Sequence, residues 1–171
     1  MALLLVLAWR LWPWFGAFTG MNVAGANSGI RPDAPSLPPA AAPVEIRSGL
    51  SRMEPNGLRL AFELLFVPHA VRHGNGFKRD DPALPPPIVE QLAAVLADPA
   101  TYESWTGEKM CGGFHGDWYL RWGDGADRRE VIVCMGCGEA LIYRPESSLR
   151  CDLSKTAVVR IEAITATLKL P

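Results

Sequence analysis

All four cysteines of the chain fall between Cys111 and Cys151, at positions 111, 134, 137 and 151. This stretch constrains the fold more than any other. Its sulfurs must pair, hold an ion or be buried, and its apolar residues alternate as strands do. Trp118, Leu120 and Trp122 alternate with Tyr119 and Arg121. Gly123-Asp124-Gly125-Ala126-Asp127 then has the length and chemistry of a hairpin loop. Val131-Ile132-Val133-Cys134 is apolar on both faces, which suits a central strand. Met135 to Gly138 reads as a turn, Ala140 to Tyr143 as the returning strand, and Pro145 as the end of pairing. The pattern predicts a three-stranded meander.

The rest of the domain is read around that meander. Val44-Glu45-Ile46-Arg47 alternates as a half-buried strand. Pro55-Asn56-Gly57 carries turn chemistry. In Leu58 to Val67 the residues Leu58, Leu60, Phe62, Leu64 and Phe66 alternate, so a strand paired with residues 44–53 is expected. A helical spacing through Leu58, Phe62, Leu65 and Phe66 can also be traced. Pro68 to Pro87 reads as a loop carrying His69 and His73. Ile88, Leu92, Val95 and Leu96 form one stripe of a helix over Ile88 to Ala97, begun by Pro87 and ended at Asp98-Pro99. A last helix over Ser154 to Leu168 has Val158, Ile161, Thr165 and Leu168 as its stripe, with Asp152 or Ser154 as N-cap. The expected class is α+β: an antiparallel sheet, made of an N-terminal hairpin plus the three-stranded meander, with two helices packed on one face.

The chain has 171 residues, 49% apolar and 20% charged, enough to bury the core of one domain. Its net charge of −1 argues against a nucleic-acid partner, which selects a basic face. Residues 1–26 begin with an uncharged run, Ala2 to Trp9, of the length of a signal-peptide core, and Ala24-Gly25-Ala26 offers a small-x-small cleavage pattern. Arg10, Pro13 and Gly16 interrupt any window long enough to span a bilayer. The expectation is an export signal and a periplasmic or secreted domain. Membrane contact is expected only through residues 1–20, if they stay uncleaved and anchor the chain. A start at Met21 or Met53 would instead make the protein cytoplasmic. Residues 27–43, rich in Pro and Ala, read as a linker with little to bury, and residues 44–171 as a single α+β domain.

Three readings of the cysteines compete. In the first they are structural: Cys111 pairs with Cys151, closing a loop of roughly 40 residues for about 4 kcal/mol, and Cys134 and Cys137 form a local disulfide or stay reduced. In the second, Cys134-x-x-Cys137-Gly138 is a zinc knuckle. Its remaining ligands would come from Cys111 and Cys151, with His115 as a further candidate. In the third, Cys134 and Cys137 perform thiol redox chemistry, although strands flank them where a helix N-terminus would lower a thiol pKa. His115 with Asp117 is better read as a hydrogen-bonded loop pair than as acid/base machinery. Trp118 and Trp122 are better read as core than as a stacking platform.

Cys111-Gly112-Gly113-Phe114-His115-x-Asp117-x-x-Leu120-Arg121, Val131-Ile132-Val133-Cys134-x-Gly136-Cys137 and Leu149-Arg150-Cys151-Asp152-Leu153 together resemble an uncharacterised family of small bacterial proteins. That family carries an export signal or lipoprotein leader ahead of one α+β domain. The resemblance covers residues 86–168 and implies an exported domain without implying an activity. The expected function is a non-catalytic, cysteine-stabilised domain that works by binding; the alternative is a zinc-binding or thiol-redox protein. Sequencing the mature N-terminus tests the export reading: Asn27 is the expected first residue, and Met1 or Met21 would overturn cleavage.

Overall fold

Val131-Ile132-Val133 has no polar side, and a strand of that kind must be covered above and below. The computed structural model describes residues 37–51, 58–80, 84–107, 109 and 114–166. It places this segment inside a six-stranded antiparallel sheet. In chain order the elements are β1 (Glu45–Ser48), α1 (Leu58–Phe66), β2 (His69–Arg72), β3 (Asn75–Lys78), α2 (Pro86–Ala97), β4 (Tyr102–Ser104), β5 (Trp118–Trp122), β6 (Arg129–Cys134), β7 (Glu139–Arg144), β8 (Ser147–Leu153) and α3 (Lys155–Ala166). The large sheet runs β1-β5-β6-β7-β8-β4, and β2-β3 is a separate two-stranded hairpin. The fold is α+β, as expected, but its layout differs in several places.

The meander has four strands. Arg144 pairs with Ser147, so Pro145-Glu146 is a two-residue hairpin loop that turns the chain into β8. Pro145 sits between paired positions, where its missing N–H costs no ladder bond. The expected N-terminal hairpin does not form. β1 pairs with β5 at the sheet edge, Ile46 opposite Leu120, and Leu58–Phe66 is a helix. That segment has no β-branched residue and is made mostly of good helix formers, so alternation of Leu and Phe with other apolar residues did not discriminate between the two periods. The stretch read as a loop contains β2 and β3. His73 and Gly74 both adopt positive φ, 47° and 79°, and form the two-residue turn between Arg72 and Asn75. Such a turn matches strand twist.

One face of the sheet is apolar. Trp118, Leu120 and Trp122 of β5, Val131 and Val133 of β6, Ala140 and Ile142 of β7, and Cys151 and Leu153 of β8 share a core with Leu92, Val95 and Leu96 of α2 and Ala157 and Ile161 of α3. Both expected helices therefore pack on this face. Pro85 and the prolines after it open α2, and Asp98 closes it, its backbone N–H donating to Val95 O at 3.2 Å. Ser154 Oγ caps α3 by accepting from Ala157 N at 3.3 Å. Part of the expected linker also belongs here: Leu37 is buried in this core, and Trp122 Nε1 donates to Ala41 O at 2.7 Å. Residues 27–36 of that linker, and Leu168 of the expected α3 stripe, lie outside the described residues.

The opposite face is covered by the β2-β3 hairpin. Phe77 is fully buried against Tyr119, Ile132 and Leu141, with Phe114 and Tyr143 at the margin. Two glycines permit this docking. Gly49 N donates to Asp117 O at 2.8 Å, and a Cβ on Gly49 would lie 1.9 Å from Gly116 O. A Cβ on Gly116 would lie 2.7 Å from the Phe77 ring and 2.9 Å from Ile132. Phe77→Ala is expected to destabilise the domain by about 3–5 kcal/mol. Gly116→Ala is expected to lower stability as well, because its methyl group meets packed side chains. Denaturant unfolding of the two variants checks both.

Candidate functional site

Strand alternation sorts the sheet's chemistry onto the hairpin face. Asp117, Tyr119 and Arg121 of β5 and its approach, Glu130, Ile132 and Cys134 of β6, Glu139, Leu141 and Tyr143 of β7, and Arg150 and Asp152 of β8 stand on that side by register. The polar half of each strand would ordinarily face water. Here it lies beneath the hairpin and the loops before β5, and its charges are paired.

Glu139 is fully buried beside the cysteine turn. Arg150 donates to its Oε2 from Nε at 3.0 Å and from Nη2 at 2.7 Å. Trp105 Nε1 donates to the other oxygen at 3.3 Å. The Arg150 guanidinium also lies 4.6 Å from the Trp105 ring centroid, so it is stacked as well as bonded. Lys109 Nζ completes the cluster. It donates to Asp152 Oδ1 at 2.8 Å and to Cys137 O at 3.0 Å. Thr106 Oγ1 donates to Asp152 Oδ2 at 2.7 Å. Burial disfavours the Asp152 carboxylate, but the Lys109 and Thr106 bonds outweigh it and hold its pKa below the ordinary value.

Across the same face, Glu130 Oε2 lies 3.1 Å from His73 Nε2 and Oε1 accepts from Tyr119 Oη at 2.6 Å. The His73 ring stacks on Tyr143 at 3.6 Å between centroids. The His73 bond is the largest influence on Glu130. With the Tyr119 bond and the Arg128 charge it holds the Glu130 pKa at about 2, against desolvation. Burial, then the nearby Glu130 charge, pushes Tyr143 up to about 12.

Among the described residues, the structure separates Cys134 from Cys151. Cys134 ends β6 on the hairpin face, while Cys151 points into the helix-side core, its Sγ 3.6 Å from Ala140 O. One tetrahedral ion cannot take both sulfurs across a sheet. Cys151 is reduced and so does not enter the expected bond with Cys111, and Cys134 is reduced too. Of the expected alternatives for Cys134 and Cys137, a local disulfide or a reduced pair, neither is therefore met in full. Cys137, in the Met135–Gly138 turn, is disulfide-bonded. Cys111 lies outside the described residues. Burial, followed by the Asp152 and Glu139 charges, raises the Cys151 thiol to about 12, which makes it a poor nucleophile at neutral pH.

The Cys134 sulfur accepts backbone N–H groups from His115 at 3.5 Å and Cys137 at 3.4 Å. His115 Nδ1 is 3.2 Å from Asp117 Oδ1, and Asp117 Oδ2 accepts from Met135 N at 2.6 Å. His115 is therefore tied into the base of the cysteine turn, as a loop pair. No group of three or more His, Cys, Asp or Glu side chains suited to a metal ion occurs among the described residues. Sequence reasoning missed Glu139, Arg150, Lys109 and the His73–Glu130 pair. Alternating charges on a strand read as a solvated face, and nothing in the local pattern announces that a distant hairpin covers them.

The fold and this face define a class: an α+β domain whose antiparallel sheet lies between two helices and a β-hairpin, with paired charges under the hairpin. No family model matches the chain, and no curated protein or solved structure matches it either. The resemblance drawn from the cysteine pattern rests on those residues alone.

Glu130 gives a pH signature. Its folded pKa of about 2 lies below the ordinary 4.5, so its stabilisation is present above pH 4.5 and is lost as pH falls towards 2. Glu130→Gln is expected to cost about 2–3 kcal/mol at neutral pH, with the gap from the parent chain closing below pH 4.5. Denaturant titrations across that range measure it.

Proposed function

We propose that this chain is an exported, non-catalytic domain that is stabilised by its cysteines and works by binding, in the periplasm or outside the cell. The observation that carries the reading is the state of the sulfurs. Cys137 is disulfide-bonded, while Cys134 and Cys151 are reduced. A stable disulfide suits an oxidising compartment, in keeping with the apolar segment at residues 1–26. The paired carboxylates support the non-catalytic part of the reading. Glu139, Asp152 and Glu130 are each held by cations, and pairing of this kind fixes architecture.

A second reading is favoured by the Cys134 sulfur, which sits three residues from a disulfide and accepts two backbone N–H groups. Thiol–disulfide exchange would use it directly. The Cys134 thiolate attacks Cys137 Sγ, a Cys134–Cys137 bond forms, and the sulfur that was bonded to Cys137 leaves as a thiolate that takes up the proton Cys134 gave up. No outside oxidant is consumed.

Peptide mapping without reductant, after alkylation of the folded full-length chain, tests these readings together with native mass spectrometry. The expected result is a peptide cross-linked through Cys137, Cys151 alkylated only after unfolding, and no zinc mass. Recovery of a Cys134–Cys137 bond would shift the assignment to redox exchange. One bound zinc with four thiols would overturn the disulfide reading in favour of zinc binding.

A further inference from the structure

One ammonium group sits among four oxygens beside the cysteine turn. Lys109 Nζ lies 3.0 Å from Cys137 O, 3.5 Å from Gly138 O, 2.8 Å from Asp152 Oδ1 and 3.9 Å from Glu139 Oε1. The two carboxylates have other donors. Asp152 accepts from the N–H and the hydroxyl of Thr106, and Glu139 accepts from Arg150 and Trp105. The other two oxygens are carbonyls of the turn. Taking the ammonium away would leave neither acid without a donor, but it would release the Cys137 and Gly138 carbonyls from the segment before β5. Cys137 is held at its other end as well, where its N–H donates to Cys134 Sγ at 3.4 Å. It is thus pinned through both backbone groups, and only 7% of it reaches solvent.

We propose that Lys109 is a lock on the disulfide at Cys137, a positioning residue that keeps the cross-link closed to thiol reductants by clamping the turn. The proposal rests on the cysteine reading above and names how that cross-link is controlled. Reduction begins with attack of a thiolate on a disulfide sulfur, so its rate depends on access. With a dithiol reductant, one thiolate attacks Cys137 Sγ. The bond from Cys137 to its partner sulfur breaks, and that sulfur leaves as a thiolate and takes up a proton. The second thiol of the reductant then displaces Cys137, so the dithiol ends as its own disulfide and both protein sulfurs end as thiols. Cys137 is nearly buried and Cys134 wholly so, and neither offers that approach while the turn is closed. Met135 to Gly138 must lift first, and lifting them breaks both contacts from Lys109 to the carbonyls. The Lys109 side chain is still 32% exposed, and ion pairs near the surface add little to global stability. Its loss therefore acts locally: the turn opens more often, while the sheet keeps both of its covers.

The test is reduction of the folded full-length chain by dithiothreitol, quenched with acid at intervals and followed by peptide mapping of Cys137. It compares the parent with Lys109→Met, which keeps the length of the side chain without its charge, and with Lys109→Arg. At one dithiothreitol concentration the cross-link at Cys137 is expected to disappear at least tenfold faster in Lys109→Met. The unfolding midpoint is expected to stay near that of the parent. In a parallel alkylation of the folded chain, Cys151, on the other side of the sheet, is expected to stay as protected as in the parent. Lys109→Arg retains a cation and is expected to recover most of the slow rate. Three results would overturn the proposal: reduction of Lys109→Met at the parent rate, an equal acceleration of Cys151 alkylation (a general loosening), or Lys109→Arg as fast as Lys109→Met. A parent map with no cross-link at Cys137 would instead overturn the cysteine reading and this proposal with it, so the two failures are distinguishable.

Discussion

The sheet has to be covered twice, and the rest of the structure depends on that requirement. Ile132 points to one side of β6 while Val131 and Val133 point to the other, and all three are buried. Helices α2 and α3 serve the second side. The first side is served by Phe77, carried on a hairpin too small to be stable alone. Docking is possible because Gly49 and Gly116 let backbone and ring approach more closely than a Cβ allows. The hairpin gains a hydrophobic surface, and the sheet gains a lid.

Covering a polar face brings a second demand. Charges moved out of water need partners, since an unpaired buried charge costs far more than a pair returns. Glu139 with Arg150, Asp152 with Lys109, and Glu130 with His73 meet that demand. Lys109 also grips the carbonyl of Cys137, joining the segment before β5 to the cysteine turn by hydrogen bonds. Such networks add little net stability. They favour one packing of loops over others, because a shifted loop would leave a carboxylate without its donors.

Periods and punctuation made part of this legible. The doubly apolar β6, the Trp118–Trp122 strand, the four-residue turn after Cys134, the proline-led α2 and the Ser154 cap are local signals, and each appears where its residues indicate. The misreadings share a cause in long-range context. Leu58–Phe66 fits a period of two and a period of 3.6 equally well when most positions are apolar, and only the placement of Glu63 against Ser51 distinguishes them. His73-Gly74 makes a tight turn without the Asn-Gly signature. Pro145 reads as a stop by itself, though a two-residue loop accommodates it. Among the site residues, the cysteines were visible as residues but not as an arrangement. Which sulfur faces which side follows from strand parity, once the register is known, and that parity separates Cys134 from Cys151.

The order of the six strands has a consequence for how copies of this protein meet. The long central strands lie inside, and among the described residues the two margins are the shortest members, β1 with four residues and β4 with three. β1 carries Glu45 and Arg47, and β4 carries Glu103. The hairpin further occupies the end of β1 through the bridge between Gly49 and Phe77. A short, charged, partly capped margin is a poor template for another chain's backbone. The sheet is thus guarded against edge-to-edge aggregation at the concentrations of a crowded compartment.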